Sequence, residues 1–258
     1  MNSVYRLDGA TAIASELSSG PWGRMQHGSA PASLIAHVAE TMPAAQPMRV
    51  ARLTIDLMRP VPIAPLTIRT EVVRDGRKIR LLRIDLLAEG TLVVSGSALQ
   101  IRRAPTELPP GIADEPVALP GPEAGRRANV KKDVNPFLSL IEISVVKGGF
   151  NKPGPCAAWF RAEQPIIKGL PVSNLMAGAI AADFCNGASA LLDFRHWTFI
   201  NGDLTISLAR DPVDDWILLD AETWLGPDGA GLAFGRLADK QGYFGRAVQS
   251  ILIEPRAA

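Results

Sequence analysis

A seven-residue phrase occurs twice in this chain. Leu53-Thr54-Ile55-Asp56-Leu57-Met58-Arg59 returns as Leu204-Thr205-Ile206-Ser207-Leu208-Ala209-Arg210, 151 residues later (204 − 53). The Leu, Thr, Ile, second Leu and Arg positions are identical. A second echo follows: Gly96-x-Ala98-Leu99-Gln100 returns as Gly245-x-Ala247-Val248-Gln249, at an offset of 149 (249 − 100). Solenoid repeats run roughly 20–50 residues, so this spacing points instead to two fused copies of one structural unit. The units are set at 1–103 and 136–258, joined by a Pro-rich segment at 104–135.

The 258 residues allow one large domain or two of roughly 100–130. Apolar residues make up 47% and charged residues 21%, enough for a sizeable core. The 27 basic and 26 acidic residues leave a net charge of +1, which gives no electrostatic case for nucleic acid or an anionic membrane as the main partner. A local basic run, Arg74, Arg77, Lys78, Arg80 and Arg83, reads as the solvated turn of a hairpin or as a landing patch for a phosphorylated ligand. Cys156 and Cys185 stand outside any CxxC and read as apolar fillers in a reducing compartment. His27, His37 and His196 are scattered, so no metal site and no cofactor are expected. Met1 to Arg6 lacks the basic-then-apolar pattern of a leader, and no stretch reaches 18 uncharged apolar residues. A cytoplasmic protein without membrane insertion is expected.

Residues 3–7 and 11–17 read as short strands, followed by a loop with Pro21, Trp22, Gly23 and Gly28. Ser29 to Thr41 reads as a helix rich in small residues, ended by Pro43 and Pro47. Ala51, Leu53, Ile55 and Leu57 then alternate with polar residues as in a half-buried strand. Leu66–Val73, Lys78–Ala88 and Thr91–Arg102 complete a four-stranded antiparallel meander, with Asp75-Gly76 as a hairpin turn. The second half repeats the order. Lead-in strands fall at Phe137–Val146 and Ala157–Gln164, and a small-residue helix at Pro171 to about Asp183. Strands follow at Asp203–Ala209, Trp216–Trp224, Gly231–Ala238 and Tyr243–Ile253. A sheet curled around a central helix accounts for both halves. The covered helix is apolar all round, and its small residues let backbones approach.

Several motifs stand in this order: Trp22-x-x-x-Gln26-His27-Gly28 before the first helix and Leu-Thr-Ile-x-Leu-x-Arg-Pro at 53–60. Ala182-Asp183-Phe184-x-Asn186-Gly187, Phe199-Ile200-Asn201-x-Asp203-Leu204 and Ala247-Val248-Gln249 follow. Their order and spacing resemble the double-hotdog acyl-CoA thioesterases of the thioesterase II (TesB-like) type, over nearly the whole chain. The resemblance implies an α+β fold of two tandem hotdog units in one continuous antiparallel sheet, with a central helix in each. It implies hydrolysis of acyl-CoA to a carboxylic acid and CoA, in fatty acid metabolism. It also implies a site formed by an Asp on the second central helix, a Thr or Ser early in the next strand and a Gln on the last strand. These fall at Asp183, Asn201 and Gln249. Asn201 departs from the usual hydroxyl residue. An amide still hydrogen-bonds a water or an Asp, with donors and acceptor arranged differently.

The residues also speak for themselves. Asp183 follows Ala-Gly-Ala-Ile-Ala-Ala, where a buried charge is costly. It is either a helix-end or networked structural aspartate, or a general base. Gln249 interrupts an apolar run and points outward on its strand, or inward to position a water. Asn201 before Gly202 and Asp203 is a turn or part of the site. His27 either packs on Trp22 at the helix entry or, with the Gly28 N–H, faces the thioester carbonyl as a substrate-binding group, since helix N-termini offer free N–H groups. Trp22, Trp197, Trp216 and Trp224 read as core or wall. The helix over 29–39 holds no acid, which favours a single active centre; if Gln100, the partner of Gln249, also points into a pocket with no Asp nearby, the first half is a decayed site.

Two alternatives accompany this assignment. A hydratase or dehydratase on the same fold needs a His–Asp pair, and only His27 could approach Asp183 in space. A non-catalytic acyl-thioester-binding protein would keep the fold without turnover. Chain length and the choice between CoA and an acyl carrier protein are not encoded legibly, and exposed sheet edges offer pairing between chains as a homo-oligomer.

Overall fold

The computed structural model describes residues 3–112, 116–130, 133–150 and 152–256. Parts of the Pro-rich segment, 113–115 and 131–132, thus lie outside the described residues, as do positions 1 and 2. The first half holds β1 (Tyr5–Asp8), β2 (Thr11–Ala14), α1 (Ser29–Thr41), β3 (Met48–Leu57), β4 (Pro65–Asp75), β5 (Ile79–Ala88) and β6 (Thr91–Arg102). The second holds β7 (Arg126–Arg127), β8 (Ile141–Lys147), β9 (Cys156–Ala162), α2 (Asn174–Asp183) and α3 (Cys185–Ala188). Five strands complete it: β10 (Trp197–Asn201), β11 (Asp203–Leu208), β12 (Ile217–Leu225), β13 (Ala230–Asp239) and β14 (Gly242–Pro255).

All fourteen strands join one sheet in the order β1-β2-β4-β5-β6-β3-β11-β14-β13-β12-β9-β8-β7, with β10 also on β14. The repeated phrase is its seam. β3 and β11 pair antiparallel with Thr54 opposite Thr205, Leu53 opposite Ile206 and Ile55 opposite Leu204. Thr54 therefore faces its own equivalent, while Leu53 and Ile55 each face the equivalent of the other, which is what a local two-fold axis between Thr54 and Thr205 demands. The inward Leu and Ile positions of both copies are buried, so the same alternation that makes each strand amphipathic also joins the halves.

The expected meander holds for β4–β5–β6 and for β12–β13–β14 and fails for the first strand of each set. β3 pairs with β6 and β11, not with β4. The connection from Leu57 to Pro65 is too long for a tight hairpin and carries Pro60, Pro62 and Pro65. Other corrections are local. Pro136–Leu140 is a 3-10 turn, so the lead-in strand starts only at Ile141. Glu16–Ser18 is likewise 3-10. α3 and β10 were not anticipated from the sequence, being a single turn and a five-residue strand that closes a loop onto β14.

Both helices lie against the sheet and against each other. α1 buries Ser29 through Ala36 and Ala39, and α2 buries Met176 through Asp183. Fully burying a side chain such as Leu34 or Ile35 contributes roughly 1.5–3 kcal/mol. Close approach requires Gly96 on β6: a Cβ there would lie 2.9 Å from Ile35 Cδ1 and 3.0 Å from the Ile84 carbonyl. α2 starts at Ser173, whose Oγ accepts from Met176 N–H at 3.2 Å. Residues 117–122 cross the outer face of the second half. Val117 and Leu119 pack near Trp159, whose indole N–H donates to the Pro120 carbonyl at 2.8 Å. Cys156 and Cys185 are free and buried. No helix among the described residues is long and apolar enough to cross a membrane.

Candidate active site

α2 ends at Asp183, where the chain turns into α3. The carboxylate is 5% exposed and is directed at the N-terminus of α1. Gly28 caps that helix, and a Cβ on it would sit 2.6 and 2.8 Å from the two carboxylate oxygens. Only glycine leaves room for this contact. The positive end of α1 also favours an anion there.

Donors reach Asp183 from β10, β14 and α1, and His27 lies beside it. Asn201 Nδ2, at the end of β10, lies 3.2 Å from Oδ1. Gln249 Nε2, on β14, is 3.2 Å from Oδ1 and 3.0 Å from the Asp183 carbonyl. Ser29 Oγ lies 3.0 Å from Oδ2 and 3.2 Å from the Ile180 carbonyl. His27 Nδ1 lies 3.3 Å from Oδ2. The residues singled out from sequence, Asp183, Asn201, Gln249, His27 and Gly28, thus converge on one point.

Strand alternation decides Gln249. Ala247, Gln249 and Ile251 are buried while Arg246, Val248 and Ser250 face out, so the amide is inward. Its Oε1 accepts from Asn186 N–H at 3.0 Å, and Asn186 Nδ2 donates to the Phe199 carbonyl at 3.0 Å. Asn201 is strand, not turn, opposite Ile251 on β14. His27 does not pack on Trp22. Its ring stacks on Phe137 at 4.9 Å and lies tilted against Phe184, also at 4.9 Å. Trp22 instead stacks on Phe194 at 4.7 Å and meets Phe199 edge-on. Trp224 is 58% exposed and is not core; it meets Phe234 edge-on at 4.7 Å in the wall of a surface cavity.

Ser29, Asn186, Phe137 and Phe184 were missed as site residues. Asn186 and Phe184 sit within a quoted motif. Ser29 has only its place after His27-Gly28 to mark it.

Of the N–H groups opening α1, Ser29's points to His27 Nδ1 at 3.1 Å, Ala30's to the His27 carbonyl and Ala32's to the Gly28 carbonyl, and Pro31 has none. The Gly28 N–H has no acceptor among the described residues. Burial pushes the Cys185 thiol well up, and the charge of Asp183 adds to this, so it stays protonated beside the carboxylate. No cluster of three or more His, Cys, Asp or Glu suited to a metal ion is found among the described residues.

The basic run lies elsewhere. Arg80 is buried and donates through Nη1 to Gln100 Oε1 at 3.3 Å, and Gln100 in turn bonds the Ala39 carbonyl at the C-terminal end of α1. Ala39 lies eleven positions along the helix from Gly28 (39 − 28), about 16 Å.

Comparison with known proteins places this geometry in context. Residues 18–101 match the family model of the acyl-CoA thioesterase N-terminal domain, and residues 113–253 that of the C-terminal domain. A search of curated protein sequences finds no match. Among solved structures, a protein described as a thioesterase II from Thermobifida fusca superposes with a TM-score of 0.77 at 17% identity, covering 98% of this chain and 96% of that one. A hot dog fold protein of unknown function from Alicyclobacillus acidocaldarius gives 0.75 at 14% identity, covering 97% and 96%. The acyl-CoA thioesterase II TesB2 from Mycobacterium marinum gives 0.66 at 16% identity, covering 100% and 96%. At these identities the likeness establishes the fold, a double hotdog.

Proposed function

We propose that this chain, which belongs to the acyl-CoA thioesterase family, hydrolyses acyl-CoA to a free carboxylic acid and CoA with Asp183 as general base. The observation that carries the proposal is a buried carboxylate held by two side-chain amides at the mouth of a helix. Asn201 and Gln249 fix Oδ1, and Ser29 takes one site on Oδ2, which leaves the other site of Oδ2 to a water. The water oxygen attacks the thioester carbonyl carbon while its proton passes to Asp183. The Gly28 N–H and the positive end of α1 stabilise the negative charge that develops on the carbonyl oxygen. Collapse breaks the carbon–sulfur bond, and the proton on Asp183 goes to the departing thiolate. Thiolate is a fair leaving group, so neither a covalent nucleophile nor a metal is needed. The acyl chain lies in an apolar tunnel between a helix and the sheet. His27 and Gly28 line the substrate side of the carboxylate. The units 1–103 and 136–258 act as one body with a single centre, in the cytoplasm and in fatty acid metabolism.

The contact between His27 and Asp183 favours one second reading, hydration or dehydration of an acyl thioester, which needs such a pair. It ranks lower because the imidazole nitrogen nearest the carboxylate faces the carboxylate itself, so the two groups do not converge separately on one substrate carbon. The test is release of free thiol from acyl-CoAs of graded length, with a 2-enoyl-CoA followed for loss of its double bond. Thiol release across saturated substrates is the expected result. Loss of the double bond without thiol release would replace the assignment with a hydratase.

A further inference from the structure

Oδ1 of Asp183 accepts from Asn201 and Gln249, and Oδ2 accepts from Ser29. A carboxylate offers about four acceptor sites, so one site on Oδ2 is left for a water. A further donor arriving there would close that site to the water. The amides of Asn201 and Gln249 cannot change between donor and acceptor by titrating. The Ser29 hydroxyl can turn to the Ile180 carbonyl, but it carries no charge to gain or lose. His27 is different. Its Nδ1 lies 3.3 Å from Oδ2 and 3.1 Å from the Ser29 N–H. A bond to the first needs a proton on Nδ1 and a bond to the second needs its lone pair, so the two exclude each other, and the bond formed in this structure is that from the Ser29 N–H.

We propose that His27 is a positioning residue that switches Asp183 between a saturated and a water-accepting state. With Nδ1 protonated, its N–H occupies Oδ2. With Nδ1 bare, Nδ1 turns to the Ser29 N–H at the start of α1, and Oδ2 is released to a water. The proton leaves Nδ1 for solvent, and no other bond changes. The surroundings of the ring support a switch with one titrating counterpart. Phe137 and Phe184 cover its faces and carry no charge. Ser18 and Gly20 meet its backbone. Tyr5, bonded to the neighbouring Gln26, and Cys185, next to Asp183, are both pushed up by burial and stay neutral. Glu16 and Arg24 in the preceding loop pair with each other at the surface. No protein partner of His27 Nε2 is found among the described residues, so that nitrogen can carry the remaining proton of the neutral ring.

This inference rests on Asp183 acting as the base, so its test has two independent readouts. The chain has three histidines, and imidazole nitrogen NMR spectra of wild type and His27→Asn identify the His27 signals by difference. The expected result is a doubly protonated ring at low pH that becomes a neutral ring with bare Nδ1 and protonated Nε2. A ring that keeps its proton on Nδ1 throughout would overturn the switch, whether or not the protein hydrolyses thioesters.

The second readout is the pH profile of kcat/KM. Wild type should lose activity on the acid side in step with the NMR transition, by about tenfold or more. His27→Asn, whose amide oxygen can accept from the Ser29 N–H without titrating, should lose that acid step. His27→Gln should do the same if the shorter variant does not fold. An unchanged acid step in a folded variant, whatever its activity at neutral pH, would overturn the proposal; loss of the step, read on the shape of the profile and not on its height, supports it. Absence of hydrolysis by wild type would instead remove the thioesterase assignment, and the NMR result would still decide the switch.

Discussion

The two halves present the same glutamine to the same place and differ in what surrounds it. Gln249 Nε2 donates to the Asp183 carbonyl at 3.0 Å, and Gln100 Nε2 donates to the Ala39 carbonyl at 2.8 Å. The position that is Asp183 in the second half is therefore Ala39 in the first. The reversal extends one strand further. Gln249 lies opposite Ala233 on β13, and Gln100 lies opposite Arg80 on β5. An acid beside a small residue has become a small residue beside a buried cation. The helix ends keep a trace of the relation: Ser29 bonds Asp183, while Ser173 bonds Glu40, one position beyond Ala39 and exposed. The glutamine thus belongs to the scaffold, since it satisfies a helix-end carbonyl in both halves. The proposed chemistry depends on the acid, which only one half carries at that position.

The repeated arginine gives the largest expected difference. Arg210 makes a two-pronged bond to the buried Asp239, with both contacts at 2.7 Å, whereas its counterpart Arg59 is exposed. Arg210→Ala should destabilise the protein by about 3–5 kcal/mol, because it leaves a buried carboxylate without its cation. Arg59→Ala should change stability by less than about 0.5 kcal/mol. Burial works to raise the Asp239 carboxyl, but Arg210 and the N–H groups of Val213 and Gln241 outweigh it and hold it below its usual range. A depressed carboxyl contributes stability above its unfolded value and loses it as pH falls through the folded one. Thermal melts should therefore show the two variants converging in acid. Equal losses from Arg59→Ala and Arg210→Ala would break the comparison.

The glutamines should separate structure from turnover. Gln249→Ala and Gln100→Ala each remove one bond to a buried carbonyl, with similar costs of about 1 kcal/mol. Gln249→Ala should also lower kcat on the order of 100-fold by freeing Oδ1. Gln100→Ala should leave turnover near wild type. A comparable loss of turnover from Gln100→Ala would mean that the first half also works.

Asp183 and Gln249 were legible because each interrupts an apolar run, where a polar side chain must find partners or function. The helix Ser29–Thr41 and strand Thr91–Arg102 were legible to their ends, since their patterns are long and bounded by Pro or Gly. Periodicity says which face of β3 is buried, but not which strand lies beside it, and its pairing with β6 was not recovered. The seam itself was visible as a repeat, though not as a contact. Ser29 and the seat of His27 were hidden for a similar reason. Their partner lies more than 150 residues away, and only the packing of α1 on α2 brings it near. Size and apolarity do not tell an inward strand position from an outward one, so core and wall stayed open for Trp224.

Side-by-side rates of thiol release by wild type and Asp183→Asn test most directly whether one acid in one half carries the activity. The amide keeps the shape of the carboxylate and cannot take a proton from water, so turnover should fall at least about 100-fold while the fold is retained. Near-normal turnover by a folded Asp183→Asn would contradict the account and move the chemistry away from the end of α2.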